Sequence, residues 1–427
     1  MRSISKATLL QPSSIVFLYL TALCFTFVFV ERPGQSTLID ELFLLAILPL
    51  GLLGLYRSYF YIGAPAKLII VYFIFAAISS SVILTTRADI PFAAPIYGML
   101  LDIKFIIFLG ALLHLSKYRK RNNEEIIIHI CKIIILIALA NSAFFLRDIF
   151  LGGTSVAGII LSKSPIYGYV PIGLFSHKLY TAAINSLALI SAITLYLSGK
   201  GTRFLWASIL FINFLLLSSS AKELGVLIAI LFMAAISVAR NNQVAIGSRK
   251  LFLIGFFAAP ILAFIFGAEL ERLFTDRINV YLLDANTRAA LHIKSAEIAT
   301  DYFPLGSGAG TFSSQPSRSL YFSPLYYEYG MTFYYGATEN FSSFLMDAGW
   351  PKFIAEAGWI GGGAYFLAYL ITLLGLLLSF LKNPNPINTF GVLLGALIFS
   401  SALGSSIFTG DIGLMICALL FFCQSLE

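Results

Sequence analysis

Long apolar runs separated by short polar punctuation make up most of this chain. They recur near residues 13–30, 42–56, 68–86, 93–116, 125–146, 178–197, 203–219, 222–239, 251–268, 353–381, 388–408 and 410–424. About 20 predominantly apolar residues suffice for a helix to cross a bilayer, so the pattern predicts twelve spans in an all-α polytopic membrane protein. The second run is short, and the last two are parted by little more than Gly410 and Asp411. One stretch breaks the pattern. Residues 269–350 are polar and charged and form one large loop, leaving nine spans in 1–268 and three in 351–427. A smaller loop covers 147–177.

Composition agrees with this division. The chain is 59% hydrophobic and 11% charged, with a mean hydropathy of +0.88. Soluble domains are about 45–50% apolar and about 25% charged, so a soluble fold is excluded. The apolar run Ile15–Val30 follows Arg2 and Lys6 as a secretory signal would. It is too long for a signal core, and "ERPGQ" after it offers no small-residue cleavage site. It reads as a retained first span.

The net charge is +7, from 28 Lys+Arg against 21 Asp+Glu. Its distribution argues against a nucleic-acid partner, because the basic residues recur in short loops rather than on one face. With the N-terminus in the cytoplasm, the inner loops hold Arg2, Lys6, Arg57, Lys67, the run "KYRKR" at 117–121, Lys200, Arg203, Arg240, Arg249, Lys250 and Lys382. The opposite short loops hold "ERPGQSTLIDE", "RAD" and Asp411. This is the positive-inside distribution. It predicts both termini in the cytoplasm and the large loop outside. Cys24, Cys131, Cys417 and Cys423 all fall in predicted spans, without a CxxC or a Cys/His cluster. Neither disulfides nor a structural zinc is expected.

Within the large loop, 287–301 has helical periodicity. Lys294, Glu297 and Asp301 share a solvated face, Ala289, Ile293 and Ala296 an apolar stripe, and Leu291 and Ile298 lie opposite that stripe. Arg288, His292 and Ser295 occupy a third strip. An amphipathic helix lying on a membrane with a cation turned from its solvated face suits an anionic ligand or a lipid headgroup. The "GSGAG" at 306–310 is neither a dinucleotide fingerprint nor a P-loop, since no strand, distal acid or Gly-Lys-Ser/Thr accompanies it. It reads as a flexible turn after Pro304. Beyond it, Tyr321, Tyr326, Tyr327, Tyr329, Tyr334 and Tyr335 crowd into fifteen residues. They suit an interfacial aromatic belt or a sugar-stacking platform.

Charges near spans are functional candidates by default. Lys178 opens span six in "GLFSHKLYTA", beside His177. Lys222 and Glu223 open span eight in "LSSSAKELG". Both spans start at the outer face, so two cations at helix entrances and Arg288 on the loop outline an anion site, with helix N-termini adding backbone donors. Asp102 and Lys104, inside span four, read as a structural pair. Asp347 and Glu356 flank the start of span ten.

Four motifs, in order, resemble the O-antigen ligase and O-antigen polymerase superfamily, which includes exopolysaccharide polymerases. "GLFSHK" at 173–178 is similar to its Gly-x-Phe-x-His-Lys-Asn element, with Leu179 in place of Asn. "SSSAKELGVL" at 218–227 is similar to its Ser-Arg/Lys element, with Lys222 at the basic position. "TRAALHIKSAEIATDYFPLGSGAGTF" resembles its Arg…Pro-Leu-Gly-x-Gly-x-Gly-Thr-Phe run, with Arg288 as the arginine. "DAGWPKFIAEAGWIGG" resembles its His-Asn…Ala-Glu-x-Gly-x-x-Gly element, with Asp347 where family ligases carry His. That departure leans towards a polymerase, and Glu339 nearby leaves the base open.

The resemblance implies a class C glycosyltransferase-like membrane fold in the bacterial inner membrane. It implies transfer of a glycan from undecaprenyl diphosphate to an acceptor sugar hydroxyl at the outer face, without metal, cofactor or nucleotide sugar. Arg288, Lys178, Lys222 and His177 would hold the diphosphate. Asp347 or Glu339 would take the acceptor proton, and Tyr326, Tyr327, Tyr334 and Tyr335 would contact glycan. The implied partners are the lipid-linked glycan, membrane lipid, and a chain-length regulator or flippase of the same pathway. A ligase onto lipid A core or protein remains the same-class alternative. A lipid-linked glycan transporter is the rival of another class, although matching repeats of spans are not evident. The expected topology is testable by cysteine labelling, with Ser313→Cys reacting from outside and Asn122→Cys only after permeabilisation.

Overall fold

Proline and acidic residues start the helices where the apolar runs begin. Pro12, Pro65 and Pro386 stand in first turns, where a missing N–H does no harm. Glu124 and Glu125 open another helix, where their charge suits the helix dipole. The computed structural model describes residues 11–29, 39–58, 63–117, 123–155, 161, 171–174, 178–217, 221–240, 287–402 and 411–426. The main elements are α1 (Pro12–Phe29), α2 (Ile39–Ser58), α3 (Gly63–Thr86), α4 (Ala93–Lys117), α5 (Asn123–Leu151), α6 (Lys178–Leu197), α7 (Arg203–Leu217) and α8 (Ala221–Arg240). The loop region contributes α9 (Thr287–Asp301), α10 (Gln315–Ser319) and α11 (Leu325–Glu328), and the chain ends with α12 (Trp350–Lys382), α13 (Pro386–Ala402) and α14 (Asp411–Leu426).

Five of these helices are long and apolar enough to cross a membrane: α3, α4, α5, α6 and α12. Shorter apolar helices stand at six further predicted runs, and the run at 251–268 lies outside the described residues. Leu187, Ile190 and Ile193 of α6, Val392 and Leu394 of α13, and Ile416 and Leu420 of α14 are all fully buried, so these helices form the bundle's centre. Small residues let α2 and α4 approach closely. A Cβ on Gly54 would lie 1.8 Å from the Gly110 carbonyl oxygen.

The decisive feature is a reversal inside α12. Gly358 has φ 68° and ψ −176°, a combination that essentially only glycine adopts. The two arms, 350–357 and 359–382, lie side by side. The Phe353 ring stacks on Tyr365 with centroids 3.9 Å apart. Trp350 lies 4.9 Å from Phe366 and 6.1 Å from Tyr369. In a straight helix, residues twelve apart are separated by about 18 Å. Span ten thus corresponds to the arm 359–382, about 36 Å long. The arm 350–357 dips back into the bundle, with Trp350, Pro351, Lys352 and Phe353 all buried.

This corrects the reading of "GSGAG". The stretch is no flexible turn. Gly306, Gly308 and Gly310 all have positive φ, of 81°, 89° and 75°, and each is pressed on a different element. A Cβ on Gly306 would lie 2.3 Å from the Gly358 nitrogen, one on Gly308 2.7 Å from Ile83, and one on Gly310 2.2 Å from the Ala94 carbonyl. The reversal leaves helix carbonyls without their usual partners, and this stretch supplies donors. Ser307 N–H reaches the Ala355 carbonyl and Gly308 N–H the Glu356 carbonyl, each at 2.9 Å. Ser79 Oγ of α3 donates to the Glu356 carbonyl at 3.0 Å, and Ala309 N–H donates to Ser80 Oγ at 3.0 Å.

The rest of the described loop folds over its own small core of Leu291, Ile298, Phe312, Leu325, Tyr326, Met331 and Leu345. Arg87, between α3 and α4, clamps the loop to the bundle. It bonds Glu328 at 2.5 Å and Asp89 at 2.6 Å, and it holds the Asp89 carboxyl below its ordinary pKa. Ser313 is buried and its N–H donates to the Tyr326 hydroxyl, so the exposed Asn340 is the better labelling position.

The reversal predicts a sharp contrast between two glycines of one helix. Gly358→Ala forces a side chain into a positive-φ site and places its Cβ 2.7 Å from the Pro304 carbonyl. It should destabilise the protein by more than about 1–3 kcal/mol, the usual cost of such strain alone. Gly363→Ala meets nothing within 4 Å and should be neutral or slightly stabilising. Thermal unfolding of the purified protein in detergent measures both. Equal effects would mean the reversal is absent.

Candidate functional site

Two of the residues singled out from sequence meet. Arg288, in the first turn of α9, places Nη2 2.6 Å from Oδ2 of Asp347, and each side chain is about a quarter exposed. The position of α9 is set at both ends. Thr287 Oγ1 donates to the Tyr335 carbonyl at 2.5 Å, and Trp359 Nε1 donates to Thr300 Oγ1 at 3.1 Å. Leu291 and Ile298 anchor its middle in the loop core, while Ile293 faces outward. Asp347 is fixed by its N–H on the Phe344 carbonyl at 3.1 Å, and Gly349 N–H donates to the carbonyl of Ala402 at the end of α13 at 3.0 Å. Asp347 therefore stands just ahead of the re-entrant arm, three residues before Trp350, and Gly358 moves the start of the continuous arm from 353 to 359, six residues on.

The tyrosines separate by burial. Tyr326 is fully buried between Phe312 and Phe322. Its hydroxyl serves Ser313 N–H and Ser317 Oγ, and burial pushes its pKa above the usual tyrosine range. It is a core residue of the loop and offers no face to a sugar, which corrects its assignment to glycan binding. Tyr334 is half-buried against the same core. Tyr327 and Tyr335 are exposed. Glu339 is exposed at the loop's tip, where it accepts from the Tyr327 hydroxyl at 3.0 Å.

Lys178 and Lys222 stand in the first turns of α6 and α8. Their side chains, and His177 altogether, lie outside the described residues, as therefore does their convergence with Arg288. The approach to Lys178 is described. Asp148 of α5, fully buried, accepts from the N–H groups of Ile172 at 3.1 Å and Gly173 at 2.8 Å. Asn141 Oδ1 accepts from Leu174 N–H at 2.8 Å. Gly173 has φ 66°, and a Cβ there would lie 2.3 Å from Asn141 Oδ1. Sequence reasoning passed over Asp148 and Asn141. The available signal was a polar pair seven residues apart, two helical turns, in an apolar run.

A second polar centre lies inside the bundle. Asp102 and Lys104, two residues apart, point to different sides of α4. Asp102 bonds to the ammonium of Lys352 on the re-entrant arm, and Tyr72 of α3 donates to its other oxygen at 2.6 Å. Lys352 also lies 5.5 Å from the Phe353 ring centroid. One turn on, Glu356 is fully buried and accepts from Phe312 N–H at 3.2 Å. Lys352 was missed although it sits four residues before Glu356 in an apolar context.

The partly exposed pair has the chemistry of an anion and proton site. A guanidinium matches a phosphate with a fixed fork of donors, and a carboxylate can accept a proton from a hydroxyl. Comparison with known family models gives no match, and comparison with curated proteins gives no similar chain.

The buried centre makes its own prediction. Lys352→Met or Asp102→Leu leaves one buried group uncompensated and should destabilise by about 3–5 kcal/mol. The double substitution Asp102→Leu/Lys352→Met should lose less than the sum of its singles. A double-mutant cycle on unfolding in detergent checks this, and additive effects would show that the two residues do not act as a pair.

Proposed function

We propose that the chain is a polysaccharide polymerase of the O-antigen and exopolysaccharide kind. In this reading it has twelve spans and a class C glycosyltransferase-like fold, and it acts at the outer face of the bacterial inner membrane. It transfers glycan from undecaprenyl diphosphate to an acceptor sugar hydroxyl, with the four resembling motifs as its sequence basis. The observation that carries the reading is the contact between Arg288 and Asp347. A cation suited to a diphosphate and a carboxylate suited to a hydroxyl proton share one partly exposed position on a loop packed against apolar helices.

The contact also supplies an order of events. Without substrate, Asp347 is held by Arg288. A diphosphate carries more charge than a carboxylate and competes for the guanidinium. Its arrival, with Lys178 and Lys222 as further cations, frees Asp347 for the acceptor. Asp347 then takes the hydroxyl proton, the acceptor oxygen forms a bond to the anomeric carbon, and the bond from that carbon to the diphosphate oxygen breaks. Undecaprenyl diphosphate leaves with the bonding electrons, its growing charge stabilised by the cations.

The test is genetic and chemical. In Asp347→Asn the protein should be made and folded, yet polymer should fall by about 100-fold or more, the range of general-base loss, with lipid-linked single repeats accumulating. Arg288→Lys keeps the charge but loses the fork and should also impair polymerisation. Glu339→Gln should remain within a few-fold of wild type. Normal polymer from Asp347→Asn would remove the base from this mechanism. Loss only in Glu339→Gln would move it to that residue.

A further inference from the structure

Beside the Arg288–Asp347 pair, the loop surface carries an aromatic patch that the chemistry above does not use. Tyr335, Phe341 and Phe344 form a triangle with centroid separations of 5.2 Å, 5.8 Å and 6.0 Å. Tyr335 is 72% exposed and Phe341 40% exposed, and Phe344 lies half-buried between them.

The patch is rigid. Phe344 N–H donates to the Gly336 carbonyl at 3.0 Å, and Thr338 and Phe341 exchange backbone hydrogen bonds of 3.1 Å each. A Cβ on Gly336 would lie 2.1 Å from the Phe344 ring, so glycine there lets the ring pack flat on the backbone. The patch is also joined to the charged pair at both ends. Thr287, next to Arg288, holds the Tyr335 carbonyl, and Asp347 N–H holds the Phe344 carbonyl. Its rim is polar, with Thr338, Glu339, Asn340 and Ser343 exposed around the rings.

We propose that Tyr335 and Phe341, with Phe344 behind them, are the acceptor-sugar subsite. Resting on the polymerase reading, this assigns the patch to the non-reducing or branching sugar whose hydroxyl Asp347 deprotonates. The apolar C–H face of a pyranose stacks on the exposed rings, and the rim takes its hydroxyls. The same composition disfavours lipid. Immersing the patch would carry the Glu339 carboxylate and the Asn340 amide towards hydrocarbon, where polar and charged groups are expensive. The placement also suits the chemistry, since a platform tied to Asp347 by its backbone N–H and to Thr287, next to Arg288, by the Thr287 hydroxyl keeps acceptor and diphosphate in register.

The test uses the full chain in nanodiscs. The donor is the lipid-linked repeat unit of the source organism, and the acceptor probe is the delipidated oligosaccharide of the same repeat. Tyr335→Ala and Phe341→Ala should each raise the acceptor KM about 3- to 10-fold, the range one aromatic stacking contact supplies. The donor KM and kcat should stay within about twofold. Tyr335→Phe should behave as wild type. Polymer formed with an unchanged acceptor KM in both alanine variants overturns the subsite and leaves the polymerase reading intact. Calorimetric titration with the oligosaccharide separates the reverse case. Wild-type binding that both alanine variants weaken, without polymer from any of them, supports the subsite while the polymerase reading fails. A nitroxide at Asn340→Cys reporting immersion in lipid overturns the subsite in favour of a membrane contact.

Discussion

The fold hinges on a shortage of hydrogen-bond donors. Turning a helix back on itself within an apolar bundle frees carbonyl groups where no water can serve them. The reversal at Gly358 survives because a second segment, some fifty residues earlier in the chain, brings its own N–H groups to that place. Ser307 and Gly308 take the Ala355 and Glu356 carbonyls, and they can approach so closely only because Gly306 has no side chain to collide with Gly358. Glycine is needed on both sides of this junction for the same steric reason. Everything that positions the candidate site follows from it. α9 precedes this glycine segment, Trp359 just beyond the reversal ties α9 by Thr300, and Asp347 lies at the entrance to the re-entrant arm.

The apolar helices were legible in sequence because length and hydropathy decide them locally, and a 20-residue oil run has few alternatives in a membrane. The helix 287–301 was legible for a similar reason, but its buried face was not: Leu291 and Ile298 pack into the loop core, while Ile293 of the stripe read as apolar stands exposed. Arg288 and Asp347 were chosen singly, and their contact across 59 residues was not foreseeable from either neighbourhood. "GSGAG" was misread because a glycine run looks the same whether its backbone is free or wedged, and the wedge partners Ser80, Ala94 and Gly358 belong to three separate helices. Tyr326 and Tyr335 illustrate the same limit. Both sit in one aromatic stretch, and only the fold of the loop buries the first and exposes the second.

Two ion pairs among the described residues, Lys352–Asp102 and Arg288–Asp347, are chemically alike and physically opposite. Lys352 and Asp102 are sealed in the bundle, their bond reinforced by the Tyr72 hydroxyl. Withdrawing either charge would strand the other in a medium where isolated ions are costly, so the pair is suited to holding the re-entrant arm and poorly suited to exchanging partners. Arg288 and Asp347 bond at a comparable distance but stay partly open to the surface. Solvent weakens their attraction, and a ligand with greater charge can separate them without burying an unpaired ion. Exposure rather than charge therefore assigns the roles. The sealed pair fixes where the arm and its leading residues stand, and the open pair, set at the head of that arm, is the one the proposed polymerase chemistry draws on.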